Sequence, residues 1–132
     1  MALKITLKPY EKFILGGAAI ANGESKSTFI IENDVPILRG KDIMTLASAD
    51  TPCRKIYFAI QLMYVDGRNL PEHHKIFWEL IKDVATAAPS RKPMLQEISD
   101  HILNDRYYQA LKLTKKLIEY EQEVINHVRN AT

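Results

Sequence analysis

The feature of this sequence that most constrains its fold is a change of hydrophobic period near residue 42. Leu3, Ile5 and Leu7 alternate with polar residues, which is typical of a strand with one face against a core. Beyond about Asp42 the apolar residues recur at helical spacing instead. Strands followed by a run of helices indicate an α+β protein. We predict a small antiparallel β module at the N-terminus, residues 1–46, followed by a four-helix segment, residues 47–132.

The β module is expected to hold four or five short strands. Gly16-Gly17 indicates a turn or bulge, and Asn22-Gly23 is a strong signal for a tight hairpin. Pro36 lies in the last apolar run of the module. Because proline cannot donate to a central ladder, that run is predicted to be a short edge strand.

The start of the first helix is indicated by Thr51 as N-cap and Pro52 as its first helical residue. The stretch over residues 56–65 is apolar almost all round, so this helix is predicted to be the most buried element. Three further helices are expected over about residues 71–88, 93–103 and 107–128.

Composition places the chain among ordinary globular proteins. It has 132 residues, of which 46% are hydrophobic and 26% charged, close to the usual averages. A chain of this size can bury a core without a disulfide or a metal. The single cysteine, Cys53, excludes an intrachain disulfide and favours a reducing compartment. No window is apolar enough for a signal peptide or a membrane helix, so we predict a cytoplasmic protein without membrane contact.

Catalytic and metal-binding patterns are weak in this sequence. Neighbouring residues on a helix diverge by about 100°, so His73 and His74 are expected at a solvated helix start and not around one ion. Cys53 could meet a histidine as a nucleophile, but a small residue near a helix start is the plainer interpretation. The chain has no P-loop, dinucleotide glycine pattern or paired-carboxylate motif. We predict no enzyme activity, no catalytic residues, no metal and no cofactor.

The net positive charge lies in the first third of the chain. Residues 1–41 hold six basic and four acidic residues, a balance of 6 − 4 = +2, which is the whole net charge of the chain. Cations gathered on one sheet edge would hold the phosphates of a nucleic acid. The alternative is a solvated face whose edge lysines prevent aggregation. The candidate RNA-binding residues are Lys4, Lys8, Lys12, Arg39 and Lys41.

The last predicted helix has an apolar stripe of its own. Such a stripe can dock a partner in the way that amphipathic helices occupy grooves, or it can simply pack inside the protein. The candidate docking residues are Leu117, Tyr120, Val124 and Val128.

Several blocks of the chain resemble the FlbT family of flagellin regulators of alphaproteobacteria. They are LKITLKPYEKFILGGAAI, PILRGKDIMT, ADTPCRKIYFAIQLMYVDG, the AAPS segment and DHILNDRYYQALKLTKKLIEYEQ. The resemblance implies a post-transcriptional regulator that acts on the 5′ untranslated leader of flagellin mRNA, limiting translation and shortening message lifetime. It also implies FlaF and flagellin as protein partners. Some members activate flagellar expression instead, so the sign of regulation stays open, as does the oligomeric state.

A second resemblance concerns a short segment of the β module. The pattern K-P-x-E-x-x-x-L-G-G from Lys8 to Gly17 is similar to the N-terminal strands of the CsrA family of small mRNA regulators. In that family the first strand and the end of the last strand contact RNA, which corresponds to Lys4 and Arg39 here. Tyr10 stands where that turn usually has a small glycine.

Two functions from different classes follow from these observations. The first is an mRNA-leader binder that uses the basic β module. The second is a protein-interaction adaptor that binds flagellin or FlaF through the last helix and affects mRNA indirectly.

Overall fold

The computed structural model describes residues 2–130 and confirms the α+β class, with five short strands followed by four helices. The chain divides into two compact units between Ile43 and Met44. We call them the β unit and the helical unit. The boundary of the β module predicted from sequence lies slightly further along, at residue 46.

The β unit contains two small antiparallel sheets. One pairs β1 with β4, and the other has the order β3-β2-β5. In the first sheet Ile5 lies opposite Phe29, and in the second Phe13 lies between Ile20 and Arg39. The strands are β1 (Leu3–Leu7), β2 (Lys12–Leu15), β3 (Ala18–Ala21), β4 (Ser27–Ile31) and β5 (Ile37–Arg39).

The core of the β unit is formed by the inward rows of these strands. Ile5, Leu7 and Phe13 are buried together, and the ring of Phe29 lies 6.2 Å from that of Phe13, centroid to centroid. The alternation predicted for the first strand is therefore confirmed for Ile5 and Leu7, whereas Leu3 at the start of the strand is exposed. Partly buried residues pack around this cluster: Leu15, Ile20, Ile31 and Ile37.

The hairpin of the β unit lies at Gly16-Gly17, between β2 and β3. Both glycines have positive φ, 57° and 89°, the combination that a two-residue hairpin turn requires. The hairpin predicted at Asn22-Gly23 is wrong, because β3 and β4 belong to different sheets. The Asn22 side chain instead donates to the carbonyls of Lys8 (2.8 Å) and Ser25 (3.0 Å), so its amide stabilises the connection between β3 and β4. β5 is an edge strand, as predicted from Pro36.

The helical unit begins with a non-helical segment before its first helix. The side-chain amide of Gln61 is buried and makes two hydrogen bonds to the backbone of Met44, at 2.7 Å and 2.9 Å. Thr45 and Ser48 then close a turn through their hydroxyls. These hydrogen bonds give the backbone at residues 44–48 partners without a helix. The helical structure expected from about residue 42 therefore begins only at Pro52.

The first helix begins as predicted, because the Thr51 hydroxyl accepts a hydrogen bond from the Arg54 backbone N–H at 3.2 Å. It is also the most buried helix, with seven buried residues among its fourteen. It packs against the second and fourth helices, and the third helix packs against the fourth. The helices are α1 (Pro52–Val65), α2 (Leu70–Ala87), α3 (Lys92–Leu103) and α4 (Tyr107–Asn130).

Candidate nucleic-acid interface

A tight turn joins β1 to β2 and is closed at both ends. The Glu11 N–H donates to the Lys8 carbonyl at 3.1 Å, and the Lys8 N–H donates to Glu11 Oε1 at 3.0 Å. Pro9 is the second residue of the turn, and Tyr10, the third, has a φ of 61°. Proline followed by a residue of positive φ is the pattern of a type II turn. The turn therefore holds Lys8 and Glu11 at fixed positions.

Glu11 forms a two-pronged ion pair with Arg39 at the end of β5. Arg39 Nε donates to Glu11 Oε2 at 3.1 Å, and Arg39 Nη2 lies 3.0 Å from both carboxylate oxygens. The hydrogen bond from the Lys8 backbone and then the Arg39 guanidinium lower the pKa of Glu11. Arg39 Nη2 also donates to the Thr6 carbonyl at 2.7 Å. Arg39 thus joins β5, the turn and β1.

Lys8, Arg39 and Lys41 lie around one surface cavity of about 440 Å³, together with Glu11. Three cations and one carboxylate leave this site with a positive balance. In the described part of the chain no carboxylate forms an ion pair with Lys8 or Lys41. The ammonium groups of these two lysines therefore give the cavity its positive excess.

The other two candidate cations do not line the cavity. Lys4 is in β1, opposite Ile30, and is exposed on the face away from Ile5. Lys12 is the first residue of β2, opposite Ala21. The structure thus brings three of the five predicted residues together, and the RNA-contact role of all five stays a prediction.

Gly40 is a residue of this site that the sequence reasoning missed. It lies between Arg39 and Lys41, and a Cβ there would come within 2.8 Å of the Lys12 carbonyl oxygen. Only glycine allows the backbone after β5 to pass this close to β2. Its position between two basic residues was the only signal available, and close approach cannot be read from it.

Tyr10 is a second residue that was not selected from the sequence. The residue is 69% exposed, and its N–H donates to the Gly23 carbonyl at 2.9 Å. The sequence did contain a signal for it, because Tyr10 stands where the similar turn of the CsrA family usually has glycine.

The predicted docking residues belong to the helical unit, where a groove of about 340 Å³ with mostly apolar walls lies between α1, α2 and α4. Leu117, Tyr120 and Val124 line it. Leu117 is only 1% exposed and belongs to the core, whereas Val124 is 57% exposed. Val128 is exposed but does not line the groove. The guanidinium of Arg91 lies 4.2 Å from the centre of the Tyr120 ring, a cation–π contact.

A carboxylate from α4 caps the start of α1 beside this groove. Glu121 accepts hydrogen bonds from the Thr51 hydroxyl and from the Cys53 N–H, the latter at 3.0 Å. An anion at a helix N-terminus satisfies donors that have no partner within the helix. Burial and then the Glu121 carboxylate raise the pKa of Cys53 to about 12. A thiol that stays protonated at neutral pH does not suit nucleophilic catalysis.

The two neighbouring histidines point to different partners, and the solvated position expected for both is wrong for His73, which is buried. His73 Nε2 lies 3.4 Å from Asp66 Oδ2, whereas His74 Nε2 lies 3.3 Å from the Tyr107 hydroxyl. Across residues 2–130 no group of three His, Cys, Asp or Glu side chains is placed to hold a metal ion. None of the described helices is both long and apolar enough to cross a membrane.

The chain is similar to several known proteins. The model of the family described as "Flagellar protein FlbT" matches residues 3–125. A "Probable flagellum biosynthesis repressor protein FlbT" of Rhodopseudomonas palustris (strain TIE-1) is 36% identical over 126 residues, 96% of this chain and 99% of the relative. A protein of that name from Bradyrhizobium diazoefficiens, FlbT 1, is 42% identical over 94% of this chain and 85% of the relative.

The "Flagellum biosynthesis repressor protein FlbT" of Caulobacter vibrioides (strain ATCC 19089) is 38% identical over 97% of this chain and 92% of its own length. No solved structure matches the chain significantly. The family match covers most of both units, and each of these relatives aligns over nearly its whole length. The chain therefore belongs to the FlbT family of flagellar proteins.

Proposed function

We propose that this protein regulates flagellum synthesis by binding the 5′ untranslated leader of flagellin mRNA, with effects on translation and decay of the message. The relatives are named as repressors of flagellum biosynthesis, which supports the regulatory part. The β unit makes the RNA contact in this proposal, and the helical unit is the scaffold.

The observation that carries the proposal is the cavity lined by Lys8, Arg39 and Lys41. RNA carries one negative charge per phosphate, and phosphate contacts from lysine and arginine supply much of the affinity of nucleic-acid binding proteins. Lys8 and Lys41 give two ammonium groups that are not ion-paired within residues 2–130. Two backbone phosphates of one strand are the ligands that we assign to them.

The remaining cations have different roles in the proposal. Arg39 holds Glu11 and the Thr6 carbonyl, so its first role is to fix the walls of the site. An incoming phosphate would share a guanidinium that is already positioned. Lys4 in β1 and Lys12 in β2 belong to different sheets, and in the proposal both attract RNA at longer range.

The test removes the two cavity ammonium groups and leaves the fold intact. Lys8→Gln with Lys41→Gln is compared with Lys82→Gln and Lys116→Gln, which removes two exposed lysines of the helical unit. Binding of a labelled flagellin leader RNA is measured against salt concentration. The cavity variant is expected to bind more weakly, with the slope of log K against log salt smaller by about 1.4, because each phosphate contact on a single strand contributes about 0.7. The control pair is expected to keep the wild-type slope. If the folded cavity variant keeps the affinity and the salt slope of the wild type, the cavity is not the RNA-binding site.

A second candidate function is favoured by the apolar groove of the helical unit. There, Val124 and Tyr120 border a groove large enough for an apolar side chain of a partner helix. We propose flagellin or FlaF as that partner, bound through Tyr120 and Val124, whereas Leu117 supports the groove from the core and Val128 does not line it.

This candidate is tested with purified flagellin and FlaF after nuclease treatment. Val124→Asp is expected to weaken the complex at least tenfold, the cost of about 1.4 kcal/mol or more for a charge in an apolar contact. Asn126→Asp is the matched control, since it adds the same charge at an exposed position of the same helix. Failure of both partners to bind the wild-type protein would contradict the adaptor function.

A further inference from the structure

Tyr10 combines a strained backbone with an exposed aromatic ring. Its φ of 61° lies in the left-handed region that residues with a Cβ disfavour. Glycine or asparagine adopts this conformation at lower cost. Packing does not compensate the strain, because 69% of the tyrosine stays exposed. The β unit therefore gains little stability from having an aromatic residue here.

The backbone around Tyr10 forms a rigid support. The Tyr10 N–H donates to the Gly23 carbonyl at 2.9 Å, and the Asn22 N–H donates to the Glu11 carbonyl at 2.9 Å. The Asn22 side chain adds a bond of 2.8 Å to the Lys8 carbonyl. Hydrogen bonds thus fix the backbone on both sides of Tyr10. A strained residue that its surroundings hold in place is typical of binding sites.

The same turn carries two walls of the basic cavity. Lys8 is the first residue of the turn and Glu11 the last, and both line the cavity with Lys41. An exposed aromatic ring beside cations is how proteins bind unpaired nucleotides, with bases stacked on the ring and phosphates held by the cations. We propose that Tyr10 is a base-stacking residue, on which one unpaired RNA base lies while Lys8 and Lys41 hold the neighbouring phosphates. This inference rests on the proposed RNA-binding function.

The arrangement has a consequence for the form of RNA that is bound. A base inside a duplex has both faces covered by its neighbours, so it cannot also stack on a ring that protrudes from a turn. The protein is expected to select single-stranded parts of a leader, and the ring should contribute affinity without a dependence on salt.

The test uses two substitutions that separate the ring from the turn. Tyr10→Asn keeps a residue that tolerates positive φ and removes the ring. Tyr10→Phe keeps the ring and removes the hydroxyl. The probes are a single-stranded oligoribonucleotide of the flagellin leader and the same strand annealed to its complement. Affinity is measured by fluorescence anisotropy at several salt concentrations, and folding by thermal unfolding.

Tyr10→Asn is expected to bind the single strand about tenfold more weakly, within the range of alanine substitutions at stacking aromatics. Its salt slope and its binding to the duplex should stay unchanged, and it should unfold no earlier than the wild type. Tyr10→Phe is expected to bind within about twofold of the wild type, because the stacking face remains.

The outcomes distinguish this inference from the function on which it rests. Wild-type affinity in Tyr10→Asn, with weak binding in the Lys8 and Lys41 variant, overturns stacking and supports RNA binding. An equal loss in Tyr10→Phe also overturns stacking, since it would assign the effect to the hydroxyl. A wild-type protein that binds neither probe overturns both proposals.

Discussion

The guanidinium of Arg39 and the carboxylate of Glu11 are 28 residues apart in sequence and meet through N–O distances of 3.0 to 3.1 Å. The planar fork of arginine matches the two oxygens of a carboxylate, which gives such a pair a defined geometry. Because Arg39 also bonds to the Thr6 carbonyl, it connects the two small sheets of the β unit. The cavity beside it depends on this connection.

The first prediction concerns the pH dependence of this pair. The hydrogen bond from the Lys8 N–H and then the Arg39 guanidinium lower the pKa of Glu11 in the folded protein, so the charged carboxylate contributes stability above its ordinary pKa of 4.5. That contribution is lost as the pH falls through the lowered pKa of the folded state. Glu11→Gln is expected to destabilise the protein most at about pH 6 and progressively less towards about pH 3.

Urea unfolding of both proteins across this range measures the difference. Glu24→Gln removes an exposed glutamate of the same unit and is the matched control. A destabilisation by Glu11→Gln that does not shrink in acid would contradict the role of the charged carboxylate.

The second prediction concerns the close approach at Gly40. Gly40→Ala places a methyl group 2.8 Å from the Lys12 carbonyl oxygen, so the backbone on one side must move. We expect a loss of about 1–3 kcal/mol in unfolding free energy, and weaker leader binding because Arg39 and Lys41 flank the site. Gly23→Ala is the control, since its Cβ meets nothing within 4 Å. It should change stability by less than about 0.5 kcal/mol. Equal effects of the two substitutions would show that space at Gly40 does not matter.

The third prediction concerns the cap that α4 provides for α1. Glu121→Ala leaves the Thr51 hydroxyl and the Cys53 N–H without their acceptor. The expected cost is about 1–3 kcal/mol, since part-buried donors lose a charged partner. Glu119→Ala removes an exposed acid from the same helix and should be close to neutral. Thermal and urea unfolding test this, and similar values for the two variants would argue against a capping role.

The fourth prediction concerns the reactivity of Cys53. With its pKa raised from 9.0 to about 12, the folded protein holds roughly 1,000-fold less thiolate than an ordinary cysteine at neutral pH. Alkylation by iodoacetamide at about pH 8 is therefore expected to be slow in the native state and fast in urea, as followed by mass spectrometry. The stability linked to the neutral thiol is present below the unfolded pKa and is lost as the pH rises through 9.0 towards about 12. Fast native-state labelling would contradict the burial of this side chain.

Much of the architecture was predictable from local patterns. Alternation in β1, the edge position of β5 and the start of α1 at Thr51-Pro52 all follow from steric and hydrogen-bonding preferences of a few neighbouring residues. The turn at Gly16-Gly17 was predictable for the same reason. Asn22-Gly23 shows where this reasoning fails. These two residues are compatible with a hairpin turn and also with a longer connection between strands. The second is formed here because the carbonyls of Lys8 and Ser25 lie where the Asn22 side chain can donate to them.

The candidate sites also combine properties that local sequence predicts with properties that it does not. The surplus of cations in the first 41 residues and the apolar stripe of α4 are properties of the sequence alone. Three other features depend on segments that are distant in sequence. They are the ion pair between Arg39 and Glu11, the close approach of Gly40 to the Lys12 carbonyl and the exposed position of Tyr10. No local sequence pattern specifies how close such segments come in the folded protein.

The class of fold, the succession of strands and helices along the chain, the position of the positive charge and the family could all be predicted from the sequence. Those properties depend on composition, periodicity and short-range geometry, which are read along the chain. Three properties required the folded structure: which strands pair, which cation forms an ion pair with a carboxylate and which lysines line a shared cavity. Pairing and electrostatic contacts act between groups brought together in space, so their outcome depends on the folded chain as a whole.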